Sequence, residues 1–163
     1  MVELEPPRLV DGTPLLIAGI AQRYNRNEMV TAMTGIPLQW QRFLVDMAKM
    51  PGRVGRVAYG VSYNGDPAGN FDYLCGVEVS APPPSSDFGC ITLGTQRYAV
   101  FTHRGPICAI SATWRAIYQW LPTSGYMRAR APDFERYSED FDARGDSGYV
   151  EIWIPVGPAR EPD

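Results

Sequence analysis

Apolar residues recur along the chain with two different periodicities, and Gly and Pro residues separate the segments that show them. Segments in which apolar side chains alternate or run continuously predict strands, and segments in which they recur every three or four residues predict helices. The predicted strands span 15–24, 56–63, 71–79, 96–103, 133–137 and 149–156, and the predicted helices span 36–50 and 106–121. The proline-containing residues 1–14 predict an extended lead-in.

The predicted elements occur twice in the order strand, helix, strand, strand. Aromatic residues recur at nearly constant distances: Trp40 and Trp114 are 74 positions apart, Tyr73 and Tyr149 are 76 apart, and Tyr59 and Tyr137 are 78 apart. We interpret the chain as a tandem repeat with half-repeats at 15–79 and 89–156. Residues 80–88, which contain three consecutive prolines, predict a semi-rigid linker between them.

One such unit is too small to bury both its helix and one face of its sheet. We therefore expect the two units to form one α+β domain, residues 1–163, related by a pseudo-twofold axis. Its antiparallel sheet is expected to carry the two helices on one face and to leave a ligand groove on the other.

Charge and hydropathy exclude several classes of function. The net charge is −3, and the 15 basic residues are spread over the whole chain, so we expect no direct binding to nucleic acid. No apolar run approaches the roughly 18 residues that a membrane span needs. The first residues carry acids and prolines rather than a basic and apolar leader, which predicts a cytoplasmic protein without a membrane contact.

Metal and cofactor chemistry finds little support in the composition. The three cysteines have no CxxC spacing, which argues against a zinc site or a disulfide framework, and they are expected to be core thiols. The single histidine, His103, is interpreted as a surface residue at a strand end. We expect no metal and no cofactor. The 19 aromatic residues, by contrast, are numerous enough both to fill a core and to line a pocket (six Phe, four Trp and nine Tyr).

The second half of the chain carries a family resemblance. Its segments YAVFTHRGP, TWRAIYQWLP, APDFERY and GYVEIWIPV resemble the GyrI-like small-molecule-binding domain, the effector-binding domain that is also fused to AraC-type and MerR-type regulators. The resemblance runs from about Leu15 to Val156 and is strongest over Tyr98–Pro155. It implies the tandem fold and the binding of bulky, often cationic, planar aromatic compounds. Residues 1–14 and 157–163 are too short for a helix-turn-helix, which predicts a stand-alone member.

Glu151 is the principal candidate for the site. In its strand, aliphatic residues alternate with Tyr149, Glu151 and Trp153, so the carboxylate lies between two aromatic side chains on one face. A cationic ligand could supply the charge that such a carboxylate needs and a cation–π contact with the rings. The resemblance implies the same residue, because the family has a buried glutamate in its last strand. The alternative interpretation is an ordinary solvated strand face.

Further aromatic residues are candidates for the same groove. Tyr137 lies on a strand that we expect beside the last one, and Tyr59 and Tyr73 are its counterparts in the first half. Glu135 shares a strand face with Tyr137 and is a second candidate acid. Trp120 lies off the apolar helix stripe and could cap the groove or be exposed. Each tyrosine could equally be a core residue, and Trp40 and Trp114 are assigned to the core.

Three functions remain open at this point. The first is a binder that senses or sequesters a hydrophobic, cationic or polycyclic compound. The second, implied by stand-alone family members, is a hydrolase that opens the cyclopropane ring of DNA-alkylating natural products, with Glu151 positioning or activating water and Tyr137 assisting. The third is an interaction module with a vestigial groove. The resemblance also leaves open a protein partner, such as DNA gyrase or a regulator.

Overall fold

The computed structural model describes residues 4–142 and 144–158, with the backbone alone for 29–33. In chain order its strands and helices are β1 (Arg8–Gly12), β2 (Leu15–Asn25), α1 (Met29–Asp46), β3 (Arg53–Tyr63), β4 (Asn70–Val79), β5 (Gly89–Leu93), β6 (Gln96–His103), α2 (Ile110–Trp120), β7 (Tyr126–Arg128), β8 (Asp133–Tyr137) and β9 (Val150–Pro158). Short 3-10 turns follow α1 and flank α2.

The chain forms two compact units. The central unit is Pro14–Gly94, and the terminal unit combines Met1–Thr13 with Thr95–Asp163. Their boundary lies after Gly94 and not within the predicted linker, because β5 pairs antiparallel with β2 and so belongs to the first half. The prolines at 82–84 therefore connect β4 to β5 inside the central unit.

The central unit packs α1 against an antiparallel sheet in the order β3-β4-β2-β5. Alternate residues of β4, among them Cys75 and Val77, face the helix because successive side chains of a strand point to opposite faces. Phe43, fully buried, and Trp40 are the counterparts from α1. The assignment of Trp40 to the core is thus confirmed.

The terminal unit repeats this plan with α2 on an antiparallel sheet ordered β8-β9-β6-β1, and β7 adds to the end of β9. Ile152 and Ile154 of β9 and Phe101 of β6 meet Ile117 and Trp114 of the helix. With β1, β5 and β7 set aside, both units have the order strand, helix, strand, strand, and their strands neighbour one another in the same sequence. The predicted α+β class, antiparallel pairing and internal repeat are confirmed.

The two helices also carry equivalent buried polar residues, 74 positions apart. Gln39 is fully buried and bonds to the Tyr24 hydroxyl and to two strand carbonyls. Thr113 lies 2.7 Å from Nδ1 of His103, whose Nε2 is 3.1 Å from the Pro106 carbonyl. The surface interpretation of His103 is therefore wrong: the histidine is 4% exposed, because strand alternation directs it to the helix face.

Several elements differ from the predicted ones. Helix α1 begins seven positions before the predicted start at Ile36, so that Pro37 lies inside it and not at its first turn. Strands β1, β5 and β7 were not predicted; β1 lies within the segment expected to be an extended lead-in. Cys90 and Cys108 are exposed, which corrects their assignment to the core, whereas Cys75 is buried as expected.

The close approach of two paired strands, β2 and β4, gives a stability prediction for the central unit. Gly19 pairs with Gly76, and a Cβ on Gly19 would overlap the Cys75 carbonyl oxygen. We expect Gly19→Ala to destabilise the fold by about 1–3 kcal/mol, because a backbone atom cannot yield as a side chain can. Urea unfolding followed by circular dichroism measures the loss.

Gly94→Ala is the matched control, since a Cβ on Gly94 would meet no other atom within 4 Å. Equal stability of the two variants would contradict the close approach of β2 and β4.

Candidate ligand-binding site

Glu151 lies in the middle of the terminal sheet, on the face opposite α2. Its neighbours Val150 and Ile152 point toward the helix side, and Glu151 pairs across the strands with Thr102 and Arg136. Directly paired residues of antiparallel strands share one face. Glu151 as a whole is only 8% exposed, so the alternative of a solvated strand face does not hold.

Three donors surround the Glu151 carboxylate. Arg8 Nη2 lies 2.5 Å from Oε2, while Arg136 Nη1 and the Trp153 indole nitrogen each lie 3.4 Å from Oε1. A buried carboxylate needs such partners, because leaving one unpaired costs several kcal/mol. Both oxygens of Glu151 therefore accept charge-assisted bonds from arginine.

A cluster of three aromatic rings continues from Glu151 along the same face. Trp153 stacks on Phe134 with ring centroids 5.1 Å apart, and Tyr98 meets these two rings edge-on at 5.3 and 5.4 Å. Tyr98 and Phe134 are nearly buried, whereas Trp153 is half-buried. Burial raises the pKa of the Tyr98 phenol above its usual range. The arrangement places a carboxylate at the edge of a packed aromatic cluster, of which Trp153 is the partly exposed member.

Tyr149, the residue before β9, already has a cationic partner. The Arg104 guanidinium carbon lies 5.6 Å from the centre of its ring, within the range of a cation–π contact. Arg104 is also 3.4 Å from Glu5. The Arg104 guanidinium therefore contacts both an aromatic ring and a carboxylate.

The strand register separates Tyr137 and Glu135 from Glu151. Tyr137 pairs with Val150 and Glu135 with Ile152, so both lie on the helix-facing side of the sheet. Glu135 accepts a bond from the Trp114 indole at 3.4 Å and is 8% exposed. The structure thus does not bring these two candidates together with Glu151.

Of the remaining candidates, Tyr59 and Tyr73 belong to the central unit, and Trp120 lies on the helix side of the terminal one. Tyr73 packs in the central core against α1, and its hydroxyl accepts a bond from the Trp40 indole at 3.1 Å. Tyr59 pairs with Gly76, on the opposite face of the same sheet from Tyr73, so these two tyrosines cannot line one face together. Trp120 meets Phe101 edge-on at 5.1 Å on the helix side of the terminal sheet and does not cap the Glu151 face.

Four residues that contact this site escaped the sequence analysis: Arg8, Tyr98, Phe134 and Arg136. Phe134 and Arg136 alternate with Glu135 in β8. Knowledge of how β8 pairs with β9 would have identified them, and not Tyr137, as the residues on the face of Glu151. Tyr98 would have followed from the same alternation in β6. Arg8 had no local signal, because its contact spans 143 positions of sequence.

Two kinds of feature are missing from the described residues. Residues 4–142 and 144–158 bring no three His, Cys, Asp or Glu side chains together as a metal site. Within the same ranges no helix has the length and hydropathy to cross a membrane.

Comparison with known proteins finds a family model that covers most of the chain. Residues 5–157 match the model of the GyrI-like small molecule binding domain. The chain is also 32% identical over 122 residues to the transcriptional regulator BrlR of Pseudomonas aeruginosa. That alignment covers 72% of this chain and 44% of the regulator, so the chain spans less than half of that relative's length.

Solved structures share the fold at lower sequence identity. SAV2435, solved with bound tetraphenylphosphonium, superimposes with a TM-score of 0.77 at 20% identity, covering 94% of both chains. A hydrolase encoded by lin2189 from Listeria innocua has a TM-score of 0.53 at 12% identity, covering 93% of this chain and 92% of that one. These likenesses establish the common architecture.

The buried phenol of Tyr98 predicts an alkaline limit to stability. Its pKa is raised in the folded state, so above pH about 10 the unfolded chain loses this proton more readily than the folded one. Stability should fall as pH rises through that range, by up to about 1.4 kcal/mol per pH unit for one group. Denaturant unfolding between pH 8 and pH 11 measures this loss.

Tyr98→Phe should reduce the alkaline loss without abolishing it, since burial also raises the pKa of Tyr24 and Tyr63. An unchanged pH dependence in this variant would show that Tyr98 is as accessible to solvent as a tyrosine in the unfolded chain.

Proposed function

Because the chain belongs to the family of GyrI-like small-molecule-binding domains, we propose that its terminal unit binds bulky, hydrophobic, cationic aromatic compounds at Glu151. The observation that carries this proposal is the nearly buried carboxylate of Glu151 at the edge of the Tyr98, Phe134 and Trp153 rings. The carboxylate supplies the charge, and the rings supply apolar area together with a cation–π attraction of roughly 0.5–2 kcal/mol.

The arginines on Glu151 support a preference for cations. Arg8 and Arg136 show that this carboxylate accepts delocalised, planar cations, and a guanidinium is itself a weakly hydrated cation. A lipophilic organic cation resembles it in being poorly hydrated, so little solvation is lost on entering the site. Tetraphenylphosphonium, the compound bound to SAV2435, has this character and is a suitable probe.

We place the biological role in sensing or sequestration of such compounds. The relative BrlR is a transcriptional regulator, and this chain matches less than half of it. The proposal therefore includes a partner protein, such as a regulator, that recognises the ligand-bound form of this chain. The basic residues of the chain are dispersed, which favours action through a ligand or a protein over direct contact with DNA.

Titration with tetraphenylphosphonium tests the proposal. We expect the fluorescence of Trp153 to change on binding and Glu151→Gln to weaken the affinity by about tenfold or more, because the neutral amide keeps the shape and loses the charge. Glu139→Gln, which removes one exposed carboxylate from the same unit, is the control and should bind as the parent does.

Equal affinity of the parent protein and Glu151→Gln would refute the site. Trp153→Phe identifies the reporter: if the spectral change persists in this variant, another tryptophan senses the ligand.

A second candidate function is hydrolysis of cyclopropane rings in alkylating natural products, favoured by the hydrolase among the similar folds. Glu151 would hold water beside a planar compound resting on Trp153. The bound arginines weigh against this function, because both carboxylate oxygens already accept hydrogen bonds. Tyr137 would take no part, since it lies on the other face of the sheet.

Mass spectrometry separates hydrolysis from binding. For a hydrolase, incubation with a cyclopropane-containing alkylator yields the ring-opened compound with one added water, in amounts that grow with time and vanish in Glu151→Gln. We expect binding without this product. Time-dependent product formation that depends on Glu151 would replace the binding proposal by the enzymatic one.

A further inference from the structure

Arg8 reaches Glu151 from the far side of β6. In the terminal sheet β6 separates β1 from β9, and Arg8 pairs across the strands with Val100. Neighbouring strands lie nearly 5 Å apart, so the Arg8 side chain extends over β6 to bring its guanidinium to the Glu151 carboxylate. Its distance of 2.5 Å from Oε2 makes this the shortest of the contacts described for Glu151.

The contact places a planar cation where the proposed ligand would place its own charge. Oε2 of Glu151 already bonds to Arg8 and Oε1 to Arg136, so a further cation gains little from this carboxylate unless one of the two guanidinium groups leaves. Arg8 therefore competes with any cationic ligand for Glu151. The free energy needed to break the Arg8–Glu151 ion pair is lost from the binding free energy of the ligand.

We propose that Arg8 is a specificity-determining residue that occupies the cation position on Glu151 and is displaced by a cationic ligand. This inference rests on the proposed function and adds to it the residue that determines how strongly a cation must bind in order to occupy the site. A weakly binding or strongly hydrated cation fails to replace Arg8, whereas a lipophilic cation that also covers the partly exposed Trp153 ring can replace it.

Arg8 is better suited to this exchange than Arg136. Its side chain is 61% exposed, so water already solvates most of it and can take up the released guanidinium. Strand β1 has only five residues and pairs with β6 within the terminal sheet. The Arg136 side chain is 33% exposed, lies farther from the carboxylate at 3.4 Å, and belongs to a strand paired with β9 itself.

Two ions of the same shape and opposite charge provide the test. Tetraphenylphosphonium and tetraphenylborate are titrated into the parent protein and into Arg8→Gln. Removal of the competing charge should tighten phosphonium binding by about tenfold, the equivalent of one charge-assisted hydrogen bond. The borate should bind no more tightly to Arg8→Gln than to the parent. Arg8→Lys keeps the charge and should stay close to the parent for both ions.

Arg97→Gln is the matched control, because Arg97 forms an exposed ion pair with Asp11 between the same two strands and does not contact Glu151. It should leave both affinities unchanged. In the Glu151→Gln background, Arg8→Gln should no longer tighten phosphonium binding, since the two residues act as one pair.

The possible failures are distinguishable. If Glu151→Gln weakens phosphonium binding but Arg8→Gln leaves it unchanged, the ligand site stands and the role of Arg8 is refuted. A tightening that persists in the Glu151→Gln background also refutes exchange at this carboxylate. If phosphonium binds to neither the parent nor Arg8→Gln, the proposed function fails, and the inference about Arg8 fails with it.

Discussion

The alternation of side chains along β9 is the constraint on which both the core and the candidate site depend. Val150, Ile152 and Ile154 lie on the helix side and are fully buried, while Glu151 and Trp153 between them point to the other face. One short strand therefore holds the terminal helix and presents the carboxylate. A shift of one residue in its register would bury the charge under the helix and expose the aliphatic side chains. Hydrophobic packing of α2 thus fixes where Glu151 points.

Periodicity within one element was sufficient to predict the helices' core faces and the position of Glu151. The stripe containing Trp40 and Phe43 and its counterpart with Trp114 and Ile117 both pack as the spacing indicated. Local alternation also predicted that Glu151 and Trp153 share a face. These features depend on the fixed geometry of one helix or one strand, which the sequence encodes directly.

The tyrosines show where the repeat alignment lost accuracy. Helix-facing Tyr73 was matched with Tyr149, and Tyr59 with helix-facing Tyr137, at separations of 76 and 78. The helix-facing residues of β4 and those of β9 are separated by an odd number of positions in the sequence, as Cys75 and Ile152 are. An error of one residue reverses a strand's faces, and similarity of residue type cannot reveal it. The partners Arg8 and Arg136 depended on strand pairing, which no local pattern specifies.

With the faces correctly matched, the two units differ at the position of the site. Strand β4 of the central unit is the equivalent of β9 in the terminal unit. Leu74 and Gly76 of β4 correspond to Glu151 and Trp153 of β9, since all four lie on the sheet face opposite their helix. In the central unit that face includes the tight pairing of Gly19 with Gly76, which leaves no room for a larger residue. Duplication therefore supplied two similar scaffolds, and only the terminal one combines an acid and aromatic rings at this position. The two units therefore carry one such carboxylate at these equivalent positions, Glu151, and not a symmetric pair.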